Sequence, residues 1–141
     1  MIELQINILI AEDNPGDVFL VRRALASHGL KGRSTVVTDG EAAIQYLDNA
    51  DSNADIPAPD LVLLDLNLPR HEGGQVLARL RKSSKCGQAR VIIMTSSESP
   101  HDREMVRELG ADLYFNKPSD LENFMQLGAI ARQLLDLPPR G

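Results

Sequence analysis

Residues 61–65 read Leu61-Val62-Leu63-Leu64-Asp65, an uninterrupted apolar run that ends in one carboxylate. A strand that is apolar on both faces is typical of a parallel sheet covered by helices on both sides. Further short β-type runs occupy residues 6–11, 33–38, 90–95 and 112–116. The sequence therefore predicts five strands, of which the third lies in the middle of a buried sheet.

A helical pattern follows each predicted strand. Apolar residues spaced three and four apart mark the inner faces, and helix-start signals stand at Asp39, at Ser99-Pro100 and at Ser119-Asp120. Repeated strand–helix units predict an α/β fold, a flavodoxin-like (βα)5 doubly wound parallel sheet with strand order 2-1-3-4-5. Residues 49–59 are rich in Asp, Asn, Ala and Pro, which predicts a long surface loop.

Length and composition limit the possible functions. The 141 residues suit one domain, which we place at residues 1–137, with a short tail at 138–141 and no output domain. A net charge of −5 argues against a nucleic-acid partner. Apolar runs fall short of the roughly 20 residues of a membrane span, and the N-terminus lacks the basic start of a signal peptide. We therefore expect a cytoplasmic protein with no membrane partner.

Polar residues stand where the predicted strands end. Glu12 and Asp13 end the first strand, and Asp65 ends the third, which is its neighbour in the predicted order. Three carboxylates that converge in this way repel one another unless a cation lies among them, and oxygen ligands of this kind suit Mg²⁺. Thr95 and Lys117, at the ends of the fourth and fifth strands, are donors for an anion. The combination predicts phosphoryl transfer to a carboxylate.

Each of these residues also has a purely structural explanation when it is taken alone. Asp13 could cap the following helix, Asp65 could end a strand in water, and Thr95 is an ordinary β-branched strand residue. Lys117 could be a solvated surface lysine. The functional hypothesis depends on all of them falling on the same side of one sheet.

Four segments of the chain surround the polar residues at the strand ends, namely Ile10-Ala11-Glu12-Asp13-Asn14, Leu63-Leu64-Asp65-Leu66-Asn67-Leu68-Pro69, Ile93-Met94-Thr95-Ser96-Ser97 and Tyr114-Phe115-Asn116-Lys117-Pro118. In their sequence and their order along the chain, these segments resemble the motifs of response-regulator receiver domains. More narrowly, residues 12–17 and 65–70 resemble single-domain regulators that partner bacterial and cyanobacterial phytochromes.

The resemblance implies the chemistry at the strand ends. Asp65 would be the phosphoacceptor, taking a phosphoryl group from a sensor histidine kinase, which the narrower resemblance identifies as a phytochrome. The cofactor would be Mg²⁺, held by Asp13, Asp65 and the backbone carbonyl of Asn67, while Glu12 would act through a metal-bound water. Lys117 would pair with the phosphoryl oxygens. Such a protein is a signalling phosphoacceptor, which catalyses only its own phosphorylation and dephosphorylation.

The resemblance also implies how the signal leaves the site. Thr95 would hydrogen-bond the phosphoryl group and Tyr114 would change rotamer with it, so that the signal passes on by protein–protein contact. Asn67 and Ser97 would tune the lifetime of the aspartyl phosphate. The Lys117–Pro118 peptide bond would be cis.

Three other classes of protein were weighed against this one. A phosphatase of the haloacid dehalogenase type needs a second acid two residues after the nucleophile, where this chain has Asn67. A flavodoxin needs a hydroxyl-rich phosphate loop after the first strand, which is absent here. A receiver that has lost phosphorylation is disfavoured by the presence of Asp65, Thr95 and Lys117.

The last predicted helix carries two apolar faces. We expect the first to pack on the sheet, namely Leu121, Phe124, Met125, Gly128, Ala131 and Leu135. The second stripe lies about 130° away and is formed by Leu127, Ile130, Leu134 and Leu137. An exposed apolar stripe usually marks an interaction site. We therefore expect a homodimer through the fourth helix, fifth strand and fifth helix, the face through which receivers often pair.

Overall fold

The computed structural model describes residues 2–138 and contains a parallel sheet with helices on both faces. The strands are β1 (Leu4–Gln5), β2 (Ile8–Ala11), β3 (Leu30–Lys31), β4 (Ser34–Val37), β5 (Leu61–Asp65), β6 (Arg90–Thr95) and β7 (Leu113–Asn116). The helices are α1 (Pro15–Ser27), α2 (Gly40–Ser52), α3 (Gly73–Lys82), α4 (Pro100–Glu108) and α5 (Leu121–Leu135).

The main sheet has the order β4-β2-β5-β6-β7, with every neighbouring pair parallel. These strands correspond to the five predicted ones, so the flavodoxin-like order 2-1-3-4-5 is confirmed. The third and fourth strands match the prediction residue for residue. The first strand begins two residues late, at Ile8, because Leu4–Gln5 forms a separate parallel ladder with Leu30–Lys31.

The core consists of two layers, one on each face of the sheet. Leu61 and Leu63 of β5 face the layer formed with α1 and α5. Val62 and Leu64 point the other way, into the layer formed with α2, α3 and α4. Because successive side chains of a strand point to opposite faces, only an uninterrupted apolar run can fill both layers.

Residues 49–59 are not a loop throughout, so that prediction is wrong for the first four of them. Helix α2 continues to Ser52, and Ala50 is buried in the core. The Asp51 carboxylate accepts hydrogen bonds from Ser83 Oγ (2.6 Å), the Lys85 amide (3.0 Å) and Arg79 Nη2 (2.9 Å). Tertiary contacts to the end of α3 therefore stabilise a last helical turn whose composition alone is typical of a loop.

The predicted division of α5 into two faces is only partly confirmed, since Phe124, Gly128 and Ala131 of the inner face are buried as predicted. Leu127 and Leu134, assigned to the outer stripe, are buried, whereas Leu121, assigned to the core, is 53% exposed. The reason is the close approach of α1, because a Cβ at Gly128 would lie 2.1 Å from the Ala24 carbonyl oxygen. This contact fixes the rotation of α5, and only Ile130 and Leu137 of the stripe keep exposed surface.

Within residues 2–138, no helix is both long enough and apolar enough to cross a membrane.

Candidate functional site

The carboxyl ends of β2 and β5 bring the predicted acidic residues together. Glu12, Asp13 and Asp65 each offer a carboxylate oxygen, and these oxygens lie within 4.8 Å of one another. Glu12 is completely buried, Asp65 is buried and Asp13 is exposed. The three groups thus form an acidic cluster with one side open to solvent.

Lys117 reaches into this cluster from the end of β7. Its ammonium donates to Glu12 Oε1 at 2.5 Å, to Asp17 Oδ2 at 2.9 Å and to Asp65 Oδ2 at 3.2 Å. The side chain is only 11% exposed. An ammonium has three N–H donors, so the three carboxylates account for all of them.

The contact between Asp17 and Lys117 was not predicted from the sequence. Asp17 lies in the first turn of α1, where its amide donates to the side chain of the N-cap residue, Asn14 (3.1 Å). Because Asn14 caps the helix, the alternative explanation of Asp13 as the cap is wrong. The sequence does indicate that Asp17 lies in the first turn of α1, because it follows an asparagine N-cap by three residues and Pro15 stands at the first helical position.

Burial and neighbouring charges shift the protonation of the two most enclosed groups. Burial raises the pKa of Glu12 to about 7, with Lys117 opposing the rise and Asp65 adding to it. For Lys117, burial lowers the pKa, but hydrogen bonds to Glu12 and Asp17 and the charge of Asp65 outweigh it, so its pKa is raised. Lys117 is therefore a permanent cation beside carboxylates that repel one another.

The donor set of the cluster fits a hard divalent cation. Asp13 and Asp65 provide carboxylate oxygens, the ligand type that Mg²⁺ and Mn²⁺ prefer. Both Glu12 oxygens accept protein hydrogen bonds, from Lys117 and from the Asn14 amide (3.2 Å), which suits a contact through water. The Asn67 amide donates to Asp65 Oδ1 (2.9 Å), so the backbone that would offer the Asn67 carbonyl is tied to the cluster.

The backbone of Ser97 connects Thr95 to Tyr114. The hydroxyl of Thr95, which is fully buried, accepts hydrogen bonds from the Ser97 amide (3.0 Å) and from Asn67 Nδ2 (3.3 Å). The Tyr114 hydroxyl donates to the Ser97 carbonyl at 3.0 Å. The Ser97 hydroxyl itself donates to Asp102 Oδ2 (2.8 Å) in α4. The structure therefore joins the predicted switch residues through the two peptide groups that meet at Ser97.

The Lys117–Pro118 peptide bond differs from the expectation. All peptide bonds within residues 2–138 are trans, including this one, so the predicted cis bond is wrong. The trans form is the intrinsic preference of a prolyl bond, by about 0.5–1 kcal/mol.

A comparison of the sequence with known protein families identifies the chain. Residues 8–128 match the family described as "Response regulator receiver domain". The chain belongs to this family. Among curated relatives, the receiver is 30% identical to the response regulator Rcp1 of Synechocystis sp. over 120 residues, which cover 85% of the chain and 82% of Rcp1. It is 33% identical to a probable methanogenesis regulatory protein, FilR2, of Methanothrix harundinacea, over 82% of the chain and 74% of that protein.

Solved structures of regulators resemble the receiver along nearly its whole length. The phosphorylated cyanobacterial phytochrome response regulator RcpA superposes with a TM-score of 0.85 and 28% identity, covering 98% of this chain and 100% of that one. The Mn²⁺-bound form of Rcp1 superposes with a TM-score of 0.82 and 28% identity, covering 96% and 99%. The bacteriophytochrome response regulator RtBRR is 31% identical, with a TM-score of 0.74 and coverage of 96% and 80%.

Proposed function

We propose that this receiver accepts a phosphoryl group on Asp65 from a sensor histidine kinase and passes the signal on by protein–protein contact. The observation that carries the proposal is the contact of Lys117 with Asp65 inside the acidic cluster. A lysine in this place can exchange its contact with Asp65 for one with the incoming phosphoryl oxygens, while the neighbouring carboxylates provide ligands for a cation. The chemistry of the chain is then limited to its own phosphorylation and dephosphorylation.

The residues at the site divide the work of phosphoryl transfer. An Asp65 oxygen forms a bond to phosphorus as the bond from phosphorus to the imidazole nitrogen of the donor breaks, and the leaving imidazole keeps the electron pair. Lys117 balances the charge on the phosphoryl oxygens. Asp13, Asp65 and the Asn67 carbonyl would hold Mg²⁺, which would further neutralise that charge when bound. Glu12 orients Lys117 and would contact the cation through water.

We propose that the signal is transmitted through the backbone of Ser97, whose amide contacts Thr95 and whose carbonyl contacts Tyr114. When the Thr95 hydroxyl donates to a phosphoryl oxygen, its hydrogen bonds with Asn67 and the Ser97 amide are rearranged. The Ser97 carbonyl then shifts, and the Tyr114 hydroxyl loses its acceptor. Asn67 and Ser97 thereby influence how long the phosphoryl group persists.

We propose a phytochrome as the partner kinase, on the basis of the similar proteins. RcpA and RtBRR are described as phytochrome response regulators, and their structures match almost the whole chain. We assign residues 1–137 to the receiver domain and residues 138–141 to a tail, in a cytoplasmic light-signalling protein. Transfer of radiolabel from a purified phytochrome kinase, with a kinase of another sensor class as the control, tests this assignment.

The phosphoacceptor is tested with acetyl phosphate and Mg²⁺. The wild type is expected to gain one acid-stable, base-labile phosphoryl group, and Asp65→Asn none. Asp55→Asn is the matched control, since it makes the same chemical change at an exposed carboxylate outside the cluster. Phosphorylation of Asp65→Asn at the wild-type level would contradict the proposal.

We further propose a homodimer through the face formed by α4, β7 and α5. Leu113, the first residue of the edge strand β7, is 38% exposed. Ile130 of α5 keeps exposed surface and lies about 160° around the helix from Gly128, which contacts α1. The apolar part of the dimer face is thus smaller than the sequence indicated.

A further inference from the structure

Asp17 differs from the other carboxylates around Lys117. It belongs to the first turn of α1 rather than to the end of a strand, and its side chain is 24% exposed. It is not among the three residues whose oxygens converge as possible metal ligands, which are Glu12, Asp13 and Asp65. Its contact with the site is the ion pair with the Lys117 ammonium at 2.9 Å.

The geometry of Lys117 shows what this ion pair does. Of the three contacts of its ammonium, the one with Asp65 is the longest, at 3.2 Å, against 2.9 Å for Asp17 and 2.5 Å for Glu12. All three N–H donors are already used. An anionic group on Asp65 therefore has to compete with Asp17 and Glu12 for the ammonium.

The backbone of Asp17 is held in place at the start of α1. Its amide donates to the Asn14 side chain, and Pro15 precedes it at the start of the helix. The ion pair with Lys117 keeps its carboxylate close to the place where a phosphoryl group would arrive. The Asp17 carboxylate and a phosphoryl group on Asp65 would both be negative and would repel each other. The repulsion is stronger than in water, because the partly buried site is less polar than water.

We propose that Asp17 is a positioning residue that draws the Lys117 ammonium towards α1 and limits how strongly the site binds an anionic group on Asp65. The inference rests on the proposed phosphoacceptor function of Asp65. Removal of the Asp17 charge frees one donor of Lys117 and removes one repulsive charge. Both effects favour the bound anion.

The test is a titration with beryllofluoride, a phosphoryl mimic, at saturating Mg²⁺, followed by ¹⁹F NMR. The affinity of Asp17→Asn is expected to exceed that of the wild type by a factor of about five, the size expected for one partly screened charge. The KM for acetyl phosphate is expected to fall by a similar factor. Asp17→Glu, which keeps the charge, is expected to bind like the wild type.

Two further variants separate this role from a structural one. Glu122→Gln removes an exposed acid from the first turn of α5, one other than the three carboxylates that pair with Lys117, and is expected to leave the affinity unchanged. Asp17→Ser repeats the charge removal with a residue that helix starts tolerate. If Asp17 only stabilises the structure of the site, both Asp17→Asn and Asp17→Ser are expected to bind beryllofluoride more weakly than the wild type, because the site is less well ordered.

The outcomes also distinguish this inference from the proposed function. If the wild type binds beryllofluoride and the two neutral variants bind equally or more weakly, the inference about Asp17 is overturned and Asp65 remains the phosphoacceptor. If the wild type does not bind beryllofluoride at all, the proposed function itself is overturned.

Discussion

Gly73 and Gly74 are adjacent residues with opposite tolerance for a side chain. A Cβ at Gly73 would lie 2.7 Å from the Asp65 carbonyl oxygen and 2.7 Å from Leu66 Cα, both backbone atoms. A Cβ at Gly74 would lie 3.5 Å from the flexible ends of Leu109 and Met105. Gly73 thus permits the close approach of α3 to the backbone that carries Asp65.

We therefore predict that Gly73→Ala lowers the free energy of unfolding by about 2 kcal/mol or more, because the backbone around Asp65 has to shift. Gly74→Ala is expected to be neutral or to stabilise by up to about 1 kcal/mol, since alanine favours the helix. Urea denaturation of both variants measures the difference. Equal effects of the two substitutions would contradict the close approach.

The charges around Lys117 lead to a second prediction. Asp65→Asn removes one of three carboxylates from its ammonium, and Glu12 and Asp17 remain. In metal-free buffer we expect its stability to be unchanged or raised by up to about 1 kcal/mol, because carboxylate repulsion is relieved. Lys117→Met is expected to cost about 3 kcal/mol, since buried carboxylates lose their cation. If Asp65→Asn lowers the free energy of unfolding more than Lys117→Met does, carboxylate repulsion does not dominate at this site.

The strand-end residues could be predicted from the sequence, whereas Asp17 could not. Glu12, Asp65 and Lys117 occupy positions that follow from strand boundaries and strand order alone. The Asn14 cap and Pro15 place Asp17 in the first turn of α1. Its pairing with Lys117, which lies 100 residues away along the chain, depends on how the start of α1 packs beside the end of β7 and becomes visible only in three dimensions.

At the scale of elements, helix ends illustrate how tertiary contacts override composition. The last turn of α2 contains Asp, Asn and Ser, which commonly indicate a loop. Asp51 nevertheless belongs to the helix, because hydrogen bonds from Ser83, Lys85 and Arg79 hold its carboxylate. The sequence separation of these partners, about thirty residues, places them beyond any local pattern.

This network predicts a dependence of stability on pH. Hydrogen bonds from Ser83, Arg79 and the Lys85 amide hold the pKa of Asp51 well below its ordinary 3.8. A carboxyl group whose pKa is lower in the folded than in the unfolded state stabilises the fold at pH values above its unfolded-state pKa. This stabilisation is lost as the pH falls from the unfolded-state pKa towards the folded-state pKa. Asp51→Asn is therefore expected to be less stable than the wild type at pH 7, with the difference shrinking below pH 3.8.

Urea denaturation at pH 7, 4 and 3 measures this difference. Asp48→Asn is the matched control, because Asp48 also pairs with Arg79 but its side chain is 51% exposed. A surface ion pair of this kind contributes little, so Asp48→Asn should follow the wild type. A constant difference between the wild type and Asp51→Asn at all three pH values would contradict the prediction.

Helix α5 shows where periodicity reaches its limit. Its apolar residues spread over so much of the circumference that two different faces can be chosen as the inner one. The contact between Gly128 and Ala24 decides the rotation and buries Leu127 and Leu134. The strands of the same chain were predicted well, because both of their faces are covered and no rotation has to be chosen.

At the scale of the whole molecule, the acidic cluster exists only when β2 and β5 are paired. A cation that binds this cluster therefore stabilises the fold by mass action, by about 2.7 kcal/mol at a concentration 100-fold above its Kd. We expect millimolar Mg²⁺ to raise the melting temperature of metal-free wild type. Asp13→Asn is expected to lose this response and to keep its metal-free stability, because Asp13 is exposed. If Mg²⁺ raises the melting temperature of both proteins equally, Asp13 is not a ligand of the cation.

Assembly is the remaining property at this scale. The proposed dimer face contains Leu113 and Ile130, while Leu127 and Leu134 are buried within the protomer. In a homodimer with a two-fold axis, the same face of both copies is in contact, so a glutamate introduced on this face lies close to the glutamates of the other copy. Leu113→Glu with Ile130→Glu should therefore abolish dimerisation through burial of unpaired charge, without unfolding the protomer.

Sedimentation at tens of micromolar, with and without acetyl phosphate, measures this outcome. The matched control is Phe19→Glu with Leu121→Glu, which adds the same charges at apolar side chains that are 61% and 53% exposed. Phe19 belongs to α1, and Leu121 lies about 180° around α5 from Ile130. The wild type and the control are expected to sediment as dimers and the face variant as a monomer. If the wild type is monomeric in both conditions, Leu113 and Ile130 serve a different partner. If the face variant remains dimeric, the two copies meet through another surface.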